Sequence, residues 1–247
     1  MQVIGEEVSI RYIRDGEEKS TSMEPVKTGN KEYKLGLWVR DTAAGVGTVT
    51  FYDPQSGTFG ALGHGILDID TGKLIDIAKG EAVTSQIVSI TKGQKGTPGE
   101  IRGTIQNGVT IGEVYKNTEF GIYGKLNQRN KLDLTTAKEV EVMSRNEIKT
   151  GKATILCSLE DGKKEEYEIE IQKVYLNNNQ DNKSMMIKVT DERFLEKTGG
   201  IIQGMSGSPI LQDGKLVGAV TNVLVSDPTT GYGIFADMML KQAKEVE

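Results

Sequence analysis

Between Gly199 and Leu211 the chain reads GGIIQGMSGSPIL, and the fold turns on what Ser206 is doing there. A serine set between glycines is either a turn residue or a nucleophile. As a nucleophile its hydroxyl is weak and needs three supports: an imidazole to take the proton, a carboxylate to orient that imidazole, and backbone N–H groups to receive an oxyanion. Gly204, two residues ahead, is free to turn its N–H toward such a site, and Ser206 brings a second N–H, so these two amides form the candidate oxyanion hole. The pattern is not the G-x-S-x-G elbow of the α/β-hydrolases, because residue 208 is serine. Downstream, ILQDGKLVGAVTNVL reads as strand, Asp-Gly turn, strand.

The base has one place to come from, since the chain holds a single histidine, His64, in FGALGHGI. Glycine on both sides lets backbone approach the imidazole closely. A lone histidine is by itself as well read as a packed or surface residue; the serine loop downstream is what raises it to a candidate. The single cysteine, Cys157, lies in the apolar run ATILCSL and reads as packed core, with a thiol nucleophile as the alternative. One Cys and one His do not make a structural zinc site, and no metal or organic cofactor is expected.

The rest of the 247 residues points to a β protein: 30 glycines, 6% aromatics, and short Val-, Ile- and Thr-bearing runs broken by turn residues every 8 to 12 positions or so. The formal charge of −5, with Lys and Arg scattered among acids, argues against a nucleic-acid partner. No run approaches the length of a membrane-spanning helix, and no signal-peptide pattern opens the chain; an anchor or export segment upstream of Met1 stays open. The last residues, ADMMLKQAKEVE, have the apolar spacing of a short amphipathic C-terminal helix.

At the other end, GEEVSIRYIRDGEEKS reads as a hairpin about Asp15-Gly16. Its G-x-x-V-x-I-x-x-x-R-D-G pattern resembles the closing strands of a PDZ domain, and an ordinary edge hairpin is the alternative. The glycines of KGQKGTPGEIRG match no phosphate-binding pattern and read as a structural loop near the cleft.

The form G-x-S-G-x-P followed by an apolar run is that of the nucleophile turn of chymotrypsin-like proteases. Taken together, GALGHGI, GTPGEIRG and GMSGSPI resemble the stage IV sporulation protein B peptidases, the S55 family, from about Lys34 to the C-terminus. The resemblance implies an all-β, chymotrypsin-like double β-barrel, with residues 1–26 the C-terminal part of a PDZ-like domain and 27–247 the peptidase domain. It also implies a His, Asp, Ser triad mapped here as His64, Asp191 and Ser206. Asp191, in VTDERF, is equally readable as a helix N-cap. Glu113 and Glu119 are the only carboxylates between Ile101 and Gly124, and Asp68, Asp70 and Asp76 are fallback partners for His64. Met205 stands where digestive proteases carry an aspartate that receives a new N-terminus, so activation by that ion pair is not expected.

What the resemblance further implies is a setting: export from the forespore into the space between forespore and mother-cell membranes. There such a peptidase cleaves itself and a membrane-bound regulator of the pro-sigma-K processing complex, and full-length members are open to membrane anchoring. The competing expectation is a chymotrypsin-like scaffold without activity that binds peptides along a sheet edge. Retention of both His64 and Ser206 favours the enzyme.

Overall fold

The structure, a computed structural model, describes residues 6–29, 32–37, 39, 42–127, 137–160, 162–177 and 181–246. It divides into two compact units, Met1–Ala44 and Gly45–Glu247. In the first unit β1 (Val8–Arg14) and β2 (Glu17–Met23) pair antiparallel, with Arg14 opposite Glu17. Asp15 and Gly16 both take positive φ, 55° and 79°, which matches the turn to the twist of its strands. The expected hairpin is therefore present. Two further short strands, β3 (Val26–Lys27) and β4 (Tyr33–Lys34), pair with each other.

The second unit holds two β assemblies. Strands β5 (Val49–Tyr52), β6 (Thr58–Ala61), β7 (Gly80–Thr91), β8 (Glu100–Thr118) and β9 (Gly121–Leu126) form an open sheet in the order β5-β6-β9-β8-β7. Strands β10 (Gly151–Glu160), β11 (Lys163–Val174), β12 (Met185–Val189), β13 (Pro209–Gln212), β14 (Lys215–Leu224) and β15 (Asp227–Phe235) close into a barrel in the order β10-β11-β12-β15-β14-β13. The all-β, chymotrypsin-like class expected from the sequence is the class found. One refinement is needed, because the first of the two barrels stays a half-barrel of five strands.

Alternation builds the closed barrel. Along β10 the inward residues Ala153, Ile155, Cys157 and Leu159 are buried, and along β11 Tyr167, Ile169 and Ile171 are buried while Glu166, Glu168 and Glu170 face out. β13 closes the ring by pairing Leu211 with Thr154 and Ile210 with Ile155. Cys157 is core, as read from its run: burial first, then the Glu165 charge, pushes its thiol up to about 12, which leaves no thiolate for chemistry. The expected Asp213-Gly214 turn joins β13 to β14.

Two helices complete the unit, α1 (Glu192–Thr198) and α2 (Ala236–Lys244). α2 buries Met238 and Met239, carries Asp237 in its first turn and Lys241 and Lys244 in its last, and is tied down by a paired Arg145–Asp237 bridge at 2.7 and 2.8 Å. Among the described residues no helix is long and apolar enough to cross a membrane.

Candidate active site

The serine loop leaves α1 and enters β13. Gly207 N donates to Val220 O at 2.8 Å, Ser208 N to Met205 O at 2.9 Å, and Val220 N to Ser208 O at 2.9 Å, so the loop is laced onto β14. Half-buried Ser206 projects its hydroxyl toward Thr221 and donates to that carbonyl at 3.0 Å. Met205, the residue before it, is 1% exposed and part of the core.

The histidine loop leaves β6 through a strained step. Leu62 has φ 69°, and Gly63 N donates to Ala61 O at 2.9 Å, closing a γ-turn of the rare positive-φ kind. His64 follows directly. Its Nδ1 lies 2.9 Å from the carbonyl oxygen of Gly65. A carbonyl only accepts, so Nδ1 carries the proton and, in the neutral ring, Nε2 is left as the acceptor. That is the tautomer a general base needs.

Gly65 does not hold its carbonyl there unaided. Asn117, near the end of β8, accepts from Ile66 N at 2.8 Å and donates to Ile66 O at 2.8 Å and Ile75 O at 3.0 Å. Leu74 and the Thr118 carbonyl pack so tightly on Gly65 that a methyl there would stand 2.2 and 2.6 Å from them.

The two loops meet about Thr48, Leu62 and Thr221. Thr48 N donates to Ser206 O at 2.9 Å, and Leu62 N donates to Thr48 O at 3.2 Å. A methyl on Gly207 would lie 2.1 Å from Thr48 O and 2.6 Å from Leu62 N, and Gly207 has φ 92°, so only glycine fits the crossing. Gly63, the neighbour of His64, abuts the Thr221 side chain, where a methyl would stand 2.9 Å from Cγ2. His64 and Ser206 thus share one neighbourhood around Thr221. The serine hydroxyl rests on the Thr221 carbonyl and not on the imidazole.

Among the described residues neither Gly204 N nor Ser206 N has a protein acceptor, whereas the neighbouring amides of Met205, Gly207 and Ser208 all do. Both residues are half-exposed, and Gly204 sits at φ 95°. Two such donors, one on the serine itself and one two residues ahead of it, are what an oxyanion requires.

Asp191 is elsewhere. Its Oδ1 accepts from Phe194 N at 3.2 Å as the N-cap of α1, and its Oδ2 accepts from Glu168 N at 3.3 Å and Arg193 Nη2 at 3.0 Å. None of these partners is His64: the carboxylate is occupied by the helix start, the alternative role its VTDERF setting allowed. Burial alone would raise its pKa, but the Arg193 guanidinium and the two amides outweigh burial and hold it below the ordinary carboxylate value. Asp68 closes its own turn onto Thr71 N at 2.9 Å, and Glu113 accepts the Tyr115 hydroxyl at 2.9 Å.

Three contributors were missed in the sequence: the Gly65 carbonyl and Thr221, which carried no legible signal, and Asn117. An asparagine inside the strand-like run EVYKNTEF was the only hint, because Asn is disfavoured in strands.

The family model for SpoIVB peptidase S55 matches residues 31–240, most of the chain. The chain belongs to this family. It is a serine peptidase. Among solved structures, the Rv3671c protease of M. tuberculosis in its active form is 13% identical, with 85% of this peptidase and 94% of that chain covered and a TM-score of 0.40. An inactive form of the same protease is 12% identical over 66% and 83% of the two chains with a TM-score of 0.38. An inactive serine-to-alanine mutant of it is 13% identical over 68% and 97% with a TM-score of 0.36. Among curated proteins none matches this peptidase.

Proposed function

We propose that this peptidase is an endopeptidase in which Ser206 is the nucleophile and His64 the general base. Ser206 Oγ turns from Thr221 toward His64 Nε2, gives up its proton and attacks the scissile carbonyl carbon. The oxygen of the tetrahedral adduct is received by the amides of Gly204 and Ser206. His64 returns the proton to the leaving amine, and water then cleaves the acyl-enzyme by the same route in reverse. In this reading the Gly65 carbonyl, steadied by Asn117, does the orienting that a carboxylate does in a triad. The observation that carries the reading is the pair of unspent amides beside a serine whose loop interlocks with that of the chain's single histidine.

A fluorophosphonate probe tests it without knowledge of the cleavage site. The intact protein should label, and Ser206→Ala and His64→Ala should not. Absence of labelling in the folded wild type would return the chain to a peptide-binding scaffold and remove these roles.

On the family match we further infer the setting: action after export from the forespore, in the intermembrane space. The substrates are the protein itself and a membrane-bound regulator whose cleavage releases pro-sigma-K processing. Residues 1–26 are then the closing part of a PDZ-like domain. Fragments that accumulate on expression of the wild type and vanish in Ser206→Ala would support self-cleavage; identical fragments from both would overturn it.

A further inference from the structure

The glycine-rich loop between β7 and β8 has no part in the reaction as described so far, yet it reaches across to the oxyanion segment. Its tip, Gln94 to Thr97, is exposed and closes on itself with bonds of 2.8 and 2.9 Å. Its base, Gly93 and Gly99, is buried. Gly93 N donates to Thr198 O at 2.8 Å, Gly96 N to Val225 O at 2.9 Å, Gln203 N to Gly99 O at 2.9 Å and Ile101 N to Gln203 O at 2.8 Å. Glu100 and Gln203 form a parallel bridge.

The last of those bonds acts on Gly204. The carbonyl of Gln203 and the N–H of Gly204 belong to one planar trans peptide and point in opposite directions. Holding the carbonyl on Ile101 therefore holds the N–H pointing the other way, with no acceptor among the described residues. Ile101 also backs Gly204 directly, since a methyl on that glycine would lie 3.0 Å from Ile101 Cβ. Met205 stands where an ion pair would otherwise brace this segment, and its contribution is local: Ile202 N approaches its sulfur at 3.5 Å.

We infer that the β7–β8 loop and the first residues of β8 form a positioning strut for the oxyanion hole, in which the Ile101 N–H locks the Gln203–Gly204 peptide in its productive orientation. The inference rests on the assignment of Ser206 as nucleophile. It names positioning residues only, since none of Gly93, Gly99 or Ile101 is assigned a contact with substrate.

Gly99→Ala is the probe of the strut, because its methyl would stand 2.4 Å from both Gly93 N and Thr91 O and 2.6 Å from Ile202 Cγ2, so the base of the loop must shift. Fluorophosphonate labelling of the folded variant should slow on the order of 10²-fold, the loss typical when one oxyanion donor is removed. Inhibition by phenylboronic acid, which bonds to a serine oxygen as a tetrahedral adduct, should weaken in parallel, while apparent affinity for the unreacted probe stays near wild type. Lys95→Ala at the exposed tip should label at the wild-type rate. If Gly99→Ala does not fold, hydrogen exchange on the wild type decides: binding of phenylboronic acid should slow exchange of the Ile101 amide, because an adduct that needs the locked peptide must stabilise the lock in return. A folded Gly99→Ala that labels at the wild-type rate, or an Ile101 amide indifferent to the adduct, overturns the strut. Failure of the wild type itself to label would instead overturn the assignment of Ser206.

Discussion

The closed barrel and the open sheet are built from the same kind of strand and end in opposite conditions. In the barrel, Ile155, Ile171, Ile187, Ile210 and Ile234 are wholly buried in a continuous core, and every strand has two neighbours. In the sheet a separate cluster consists of Phe59, Ala61 and Val114, edge strands β5 and β7 each have one strand partner among the described residues, and Val88 and Ile105 are 67% and 61% exposed. Ser206 belongs to the first environment and His64 to the second. The lesson is that the site joins a closed, deeply buried half to an open, more exposed one, and its geometry depends on the crossings between them: Gly207 against Thr48 and Leu62, and Ile101 against Gln203 and Gly204.

Core truncation should expose that asymmetry most strongly. Ile155→Ala is expected to lower the unfolding free energy by about 3–4 kcal/mol, and Val114→Ala by about half as much, in denaturant titrations of the folded protein. Equal losses would mean that the open sheet is as tightly packed as the barrel.

The crossing comes next in size. Gly207→Ala drives a methyl into Thr48 O and Leu62 N at a positive φ. Fluorophosphonate labelling should fall on the order of 10²-fold from misplacement of His64 against Ser206, with circular dichroism still that of a β protein. Wild-type labelling would show that the two halves need no such close contact.

The smallest effect sharpens the barrel side alone. Asp191→Ala should cost about 1 kcal/mol, the usual worth of a helix cap. The pH dependence has a definite sign. The folded carboxylate titrates below its unfolded value of about 3.9, so its contribution is present above that pH and is lost as acid takes the pH down through the folded value. Wild-type Tm should therefore drop on acidification below about pH 4, and the variant's Tm should drop less. A fall in labelling rate beyond what lost folded protein explains would return Asp191 to the imidazole.

Several features were legible in the chain because local rules govern them. Alternation in EYEIEIQKV fixes which side of β11 is buried, Asp-Gly pairs fix two hairpins, and VTDERF carries a helix start. Ser206, Gly204 and His64 stood out because the serine loop is contiguous and the chain has one histidine to offer. Asp191 was ambiguous because the same residue type in the same setting suits both a cap and a triad, and sequence does not say which donors its carboxylate takes.

By itself, then, the sequence determined the β class, the strand faces, the turn positions and the residue types at the nucleophile loop, all of which follow from neighbours a few positions apart. Tertiary structure alone decided that Asn117 steadies the Gly65–Ile66 peptide from β8, that one barrel closes while the other stays open, and that the β7–β8 loop reaches the oxyanion peptide. Those are contacts between segments far apart along the chain, set by how strands register and where backbone can approach backbone, and no local pattern of residues encodes them.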